Sequence, residues 1–511
     1  MSFVIRFHCI EKSKIRPKLR FKFDKMYAHR KMLDRFNAPY GKPPFLPESL
    51  IQHNNKPTDD YLMPILRICL FLLIAHTAMS QKENLLETLM RQKPAQFEAI
   101  LQNPDLYEVQ ILYTQIDRDA QNRPKFTTHR YQVNKNNYFY PASTVKFPAV
   151  LLALEKINAL KIKGLSRNTT LLTDSAFAAQ TSVYGDTSAQ NGLPSVAHYA
   201  KKILLVSDND AFNRLYEFIG QQAFNDQLRA KGYADTRILH RLDHAATTEQ
   251  NRYTNPLHFV DGERVLYRQP QQYNPVSLVP NVQILKGKGY LKNGALIEKP
   301  FDFTAKNAFP LEDQQDILKA VLFPESVAAK KRFKFTPDDY RFVYQYMSQL
   351  PSETRYPRYD SKEYYDSYCK FTLFGDNKNP MPKHIRVFNK VGDAYGFLLD
   401  NAYVVDFKAG VEFMLSAVIY CNKDQVFNDD KYDYEAVGFP FFANLGKIVY
   451  EHELSRKRFR QPNLDKFKLV YEKWEKDVVL VNSRELKVIV TFYCSRILLF
   501  LHYLDAHNSY L

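Results

Sequence analysis

The chain has only five cysteines in 511 residues, and Cys9, Cys69, Cys369, Cys421 and Cys494 form no C-x-x-C pair and join no histidine cluster. That excludes the usual structural zinc spacings, and neither a metal nor a cofactor is expected. Only Cys369 and Cys421 fall in the body of the chain; spacing leaves open whether they pair in an oxidising compartment. There is also no internal repeat and no low-complexity block. Nor is there a basic stripe interleaved with aromatics, so nucleic acid is not an expected partner. The net charge of +16 is uneven instead: residues 1–62 carry 13 Lys/Arg against 6 Asp/Glu. With 45% hydrophobic and 25% charged residues, what remains reads as a large, mildly basic globular body.

Long apolar runs are scarce as well. Residues 63–80 begin "MPILRICLFLLIAH", with Arg67 ahead of an apolar run from Ile68 to Ala75 and then Ala78-Met79-Ser80. The run is too short to span a bilayer, and its three parts are those of a secretory signal. A basic, proline-dotted leader (1–62) then lies on the wrong side of the signal, so translation is expected to start at Met63. The expected location is periplasmic or secreted, with no stable membrane insertion beyond the signal. The apolar tail 475–511, broken by Arg496, stays open between core elements, a membrane-associating tail and sequence foreign to the domain.

In the body, 81–474, an apolar stripe from Leu85 to Leu101 predicts a helix, and "EVQILYTQIDRD" with "KFTTHRYQVNKNNYFYP" predicts a hairpin. A helix then carries Phe147, Val150, Leu151, Leu154, Ile157 and Leu160. Two more flank "VSDND", the second stopping at Gly220. Late in the chain "HIRVFNKVGDAYGFLLDNAYVVDF" and "VEFMLSAVIYCN" predict three antiparallel strands. The fold class is therefore α+β: one antiparallel sheet formed by N- and C-terminal strands, packed against a mainly helical subdomain. Residues 257–384 read as an insertion rich in tyrosine, whose rings would line a binding surface or simply pack.

Three short pieces carry chemistry. Ser143 and Lys146, three apart at a helix start, share a face about 5–6 Å apart at Cβ. A serine hydroxyl attacks only when a base takes its proton, and a lysine serves only if burial or a neighbouring cation lowers its pKa. Ser207-Asp208-Asn209, at a break between helices, offers a hydroxyl and an amide to a cleft. Lys390-Val391-Gly392, in a strand, offers a cation and a close backbone approach. Each piece alone reads equally as helix caps and surface amines.

In this order the three resemble the S-x-x-K, S-D-N and K-T-G set of the serine β-lactamase and penicillin-binding protein superfamily, most nearly its class A-like branch. The resemblance runs over about residues 83–450. It implies Ser143 as acylated nucleophile, Lys146 as its activating amine and Ser207 as proton shuttle. It also implies Asn209, Lys390, Gly392 and Asp393 as substrate-binding residues, with backbone N–H groups of Ser143 and Asp393 as the oxyanion hole. Three departures stand out. The third motif reads K-V-G followed by Asp393, so a hydroxyl is replaced and a negative charge added. The spacing from Asn209 to Lys390 is long. In the loop "HRLDHAATTEQNRYTNP", three residues beyond Asp243, where a water-activating glutamate is expected, stands Ala246; Glu249 is the nearby candidate base. The resemblance thus implies a secreted class A-like serine hydrolase acting on a small-molecule amide such as a β-lactam. A penicillin-binding-like peptidase or esterase on cell-wall peptide, and a non-catalytic binding module, are the alternatives.

Overall fold

The computed structural model describes residues 84–471. The leader 1–62, the signal-like segment 63–80, the tail 475–511 and Cys9, Cys69 and Cys494 lie outside the described residues.

In chain order the elements that position the site are α1 (Leu85–Arg91), α2 (Pro94–Gln102), β1 (Gln110–Arg118), β2 (Pro124–Tyr131), α3 (Lys146–Leu160), β3 (Thr170–Thr173), α4 (Val196–Val206), α5 (Asn209–Ile219), α6 (Gln221–Ala230), β4 (Leu257–Asp261), β5 (Arg264–Gln269), α7 (Leu311–Leu322), α8 (Pro337–Ser348), β6 (Ile385–Ala394), β7 (Phe397–Asp406), β8 (Val411–Tyr420) and α9 (Phe439–Ser455). The expected first helix is two. Pro94 has no N–H to donate and takes the first position of α2, so the chain turns at Gln92 and Lys93.

The main sheet has the order β6-β7-β8-β1-β2 and every pairing in it is antiparallel. N- and C-terminal strands meet where β1 lies against β8, with Ile111 opposite Ala417. The strands β7 and β8 are buried along all ten residues, so they do not alternate apolar with polar. Their period of two sorts side chains between two cores instead. Leu399, Val405, Met414 and Val418 face the core shared with α3, α4, α5 and α7. Leu398, Val404, Phe413 and Ala417 face the core shared with α1, α2 and α9.

The stretch 257–384 is woven into this framework. The strand β4 pairs with β3, and α7 packs on β1, β7 and β8. The helix α8 begins at a reciprocal cap in which Thr336 and Asp339 each accept the other's backbone N–H, and it packs against β6. Cys369 and Cys421 are both buried and both free. No described helix is long and apolar enough to cross a membrane.

Candidate active site

The serine sits on a strained turn. Ala142 has φ +46°, a left-handed conformation costly for alanine, and residues 142–145 form a short 3-10 turn that runs directly into α3. The turn is fastened by Thr144, whose N–H and hydroxyl both donate to the Pro141 carbonyl. Lys146, first residue of α3, therefore lies beneath Ser143, with Nζ 2.7 Å from Ser143 Oγ.

The second piece is built from two helix ends. Ser207 caps α4 in the left-handed region (φ +64°), and Asp208 caps α5 by accepting the Ala211 N–H at 2.7 Å. That reversal turns Ser207 and Asn209 toward Lys146. Lys146 Nζ lies 2.7 Å from Asn209 Oδ1, 2.5 Å from the Ser207 carbonyl and 3.2 Å from Ser207 Oγ. On the other side Lys390 Nζ donates to Ser207 Oγ at 2.7 Å and to the Val391 carbonyl at 2.8 Å. Ser207 Oγ thus bridges two amines.

Both lysines are almost wholly buried. Burial first, and the charge of Lys390 second, hold the Lys146 amine well below the ordinary lysine range. Burial brings Lys390 down to about 8. A third lysine, not singled out in the sequence, lies behind them: Lys370 donates to Asn389 Oδ1 at 2.7 Å, and burial brings it to about 8 as well. Two or more ammonium charges this close disfavour one another, which adds to the downward pull of burial on the Lys146 amine.

Gly392 brings the third piece into register. A Cβ there would lie 2.9 Å from the Pro141 carbonyl oxygen and Ser143 N, and 3.0 Å from Thr144 N. Only a residue without one lets β6 pass this close to the Ser143 turn. Ser143, Ser207, Asn209 and Asp393 border one cavity of about 700 Å³. Burial raises the Asp393 carboxyl, against the pull of Lys146 and Lys390. A second cavity of similar volume, bordered by Lys135, Arg237 and Lys286, has no serine, threonine, cysteine or histidine in its lining.

Glu249 is not brought to this place. Its side chain is 55% exposed and pairs with Arg252 at 2.6 Å, and it does not border the cavity. Ala246 does not border it either. The carboxylate that does, from the same loop, is Asp243, at φ +46°. The sequence reading took Asp243 as the loop's opening and looked three residues beyond it. The signal that marks it is the buried Arg241 two positions earlier. Arg241 Nε meets Glu217 at 2.9 Å, Arg214 meets the same carboxylate at 3.0 Å, and Arg241 donates to the Tyr253 carbonyl at 2.8 Å. All three charged side chains are at most 3% exposed, which fixes the loop on α5. Glu217→Ala would remove the buried carboxylate that two buried arginines share, leaving Arg214 the half-exposed Asp210 and Arg241 only neutral acceptors. We expect a loss of about 3–5 kcal/mol, read as a lower midpoint in chemical denaturation, with Glu217→Gln losing less.

Residues 95–275 match the profile of the family described as Beta-lactamase enzyme family. Among solved structures, a β-lactamase from Sphaerobacter thermophilus DSM 20745 is 12% identical, covers 72% of this chain and 99% of its own, and superposes with a TM-score of 0.40. A class A β-lactamase from Clostridium kluyveri DSM 555 is 14% identical, covers 70% and 97%, and gives 0.39. No curated protein matches the chain. The chain is similar to the serine β-lactamase and penicillin-binding superfamily, as its three motifs imply. What it does is argued from the site itself.

Proposed function

We propose that this chain, similar over residues 95–275 to the β-lactamase enzyme family, is a serine hydrolase that opens a β-lactam or related amide through an acyl-enzyme on Ser143. The observation that carries the reading is the 2.7 Å contact between Ser143 Oγ and a buried Lys146 whose amine burial holds well below the ordinary lysine range. In the first half-reaction Lys146 takes the hydroxyl proton as Ser143 Oγ bonds to the carbonyl carbon. The backbone N–H groups of Ser143 and Asp393 receive the oxyanion. As the C–N bond breaks, Ser207 passes a proton to the leaving nitrogen and is resupplied from Lys390 or Lys146. In the second half-reaction Asp243 takes a proton from water, which attacks the ester and releases the acid. A class A-like mechanism and export through residues 63–80 to the periplasm or medium belong to the same proposal.

The test is intact mass against time after adding a β-lactam. Ser143→Ala is expected to show no adduct. Asp243→Asn is expected to trap the adduct at least 100-fold longer than the parent, whereas Glu249→Gln leaves its lifetime unchanged. An adduct that forms equally on Ser143→Ala would sink the proposal. A lasting adduct on the parent chain itself would favour the second reading, a penicillin-binding-like peptidase or esterase. The Asp393 carboxylate beside the third motif is the feature that supports that alternative.

A further inference from the structure

We propose that the Ser143 cleft selects acyl donors carrying a fixed positive charge, and disfavours the carboxylate-bearing ones. This rests on the acyl-enzyme reading above and adds to it a substrate class.

The charge of the cleft is one-sided. Asp243, Asp393, Asp430 and Glu435 border it, and no lysine, arginine or histidine does. The two lysine amines beneath it do not border it, and are engaged by Ser143, Ser207, Asn209 and the Val391 carbonyl. Asp393 makes no hydrogen bond and no ion pair among the described residues, although it lies deep enough for burial to raise its carboxyl. A chain of net charge +16 thus presents four carboxylates, none of them hydrogen-bonded or ion-paired among the described residues, at the mouth of its nucleophile.

The walls are aromatic. Tyr140, Tyr365, Tyr368, Tyr395, Tyr432 and Tyr434 border the cavity. Several are fixed by the backbone. Tyr432 accepts the Asn428 N–H at 3.0 Å, Tyr434 accepts the Gly396 N–H at 2.8 Å, and the two rings lie 5.5 Å apart. Tyr140 meets Tyr395 edge to face at 5.0 Å and is backed by His240, which burial keeps neutral down to about 4. Ring faces attract cations through their quadrupole, and desolvated faces do so more strongly. The protein already uses one in this way: the Lys378 ammonium lies 4.9 Å from the centre of Tyr365. Held rings beside unpartnered carboxylates recognise an ammonium or guanidinium, and repel a carboxylate.

The chemistry is acyl transfer to water. The Ser143 Oγ–carbonyl bond forms and the bond to the leaving alcohol or amine breaks. The serine proton leaves with that group, and water then frees the acid.

Three p-nitrophenyl esters of similar length separate charge from shape: 4-(trimethylammonio)butanoate, the uncharged 5,5-dimethylhexanoate and the anionic half-ester of adipate. With the full chain, kcat/KM is expected to fall in that order, by about 100-fold from cation to anion, and the ratio should shrink as salt is raised. Asp393→Asn and Glu435→Gln are each expected to narrow it by speeding the anionic ester. Equal Ser143-dependent turnover of all three, with an adduct on Ser143, overturns the charge selection and leaves the hydrolase standing. No Ser143-dependent turnover and no adduct with any ester overturns both.

Discussion

Lys146→Met is expected to abolish acylation of Ser143 without lowering the melting temperature. The amine is fully buried, touches the serine hydroxyl, and is held well below the ordinary lysine range by desolvation and by Lys390. Removing a general base in that position costs about 10³-fold or more in acylation rate. Stability moves the other way. A lysine whose folded pKa lies below its unfolded value binds fewer protons folded than unfolded. It therefore lowers stability at every pH below the unfolded value of about 10.4, and the penalty fades as pH rises between the two values. Methionine fills similar space and carries no such penalty, while Ser207 and Asn209 border the open cavity, where water can replace the lost donor. The melting temperature at neutral pH should equal or exceed that of the parent, with the gap closing toward pH 10. A fall of several degrees would show that a charged Lys146 stabilises the fold, and the base assignment would fail with it. The same groups shape the rate of the parent protein: kcat/KM rises as Lys146 loses its proton. It falls above about pH 8, where Lys390 loses the proton it shares with Ser207.

Gly392→Ala is expected to cost about 100-fold in acylation and about 1–3 kcal/mol in stability. The added Cβ meets three backbone atoms, the Pro141 carbonyl oxygen and the amide nitrogens of Ser143 and Thr144, at 2.9–3.0 Å. None is the free end of a flexible side chain, so the turn or the strand must shift by roughly 0.5 Å to restore ordinary contact. The turn has little freedom to absorb this, because Ala142 is already left-handed and Thr144 is bonded to Pro141 twice. A reacting atom displaced on that scale loses its alignment with base and oxyanion donors. Acylation at the parent rate, with circular dichroism showing an intact fold, would mean that the strand does not set the position of the serine.

Much of this was readable in the amino-acid order, for a physical reason. Helix stops, caps and strand runs are local. Gly220 and the runs around Lys390 marked their elements, and Ser143-x-x-Lys146 placed two groups on one face of one helix start. What escaped the sequence depends on distant packing. The continuous burial of β7 and β8 follows from layers on both sides of the sheet, and no period within ten residues shows the second layer. Asp243 and Glu249 are six residues apart on one loop, and only the buried Arg241–Glu217–Arg214 cluster decides which faces the serine. The tyrosines of residues 257–384 could pack or line a surface. The fold divides them, sending Tyr365 and Tyr368 to the cavity and packing Tyr359 against Tyr364 with tilted rings.

The pairing of β1 with β8 also governs the order in which the molecule can be made. Gln110 is opposite Val418, so the second edge of β1 stays bare until more than 300 further residues have been synthesised. Ser143, Lys146, Ser207 and Asn209 all emerge long before β6 delivers Lys390 and Gly392. Contacts of such long range close slowly, because the intervening chain must give up its freedom before they form. A nascent chain halted near residue 380 would hold four of the site's side chains and no β6 to bring against them. Its hydrolytic activity should therefore switch on late and all at once, as the last strands dock.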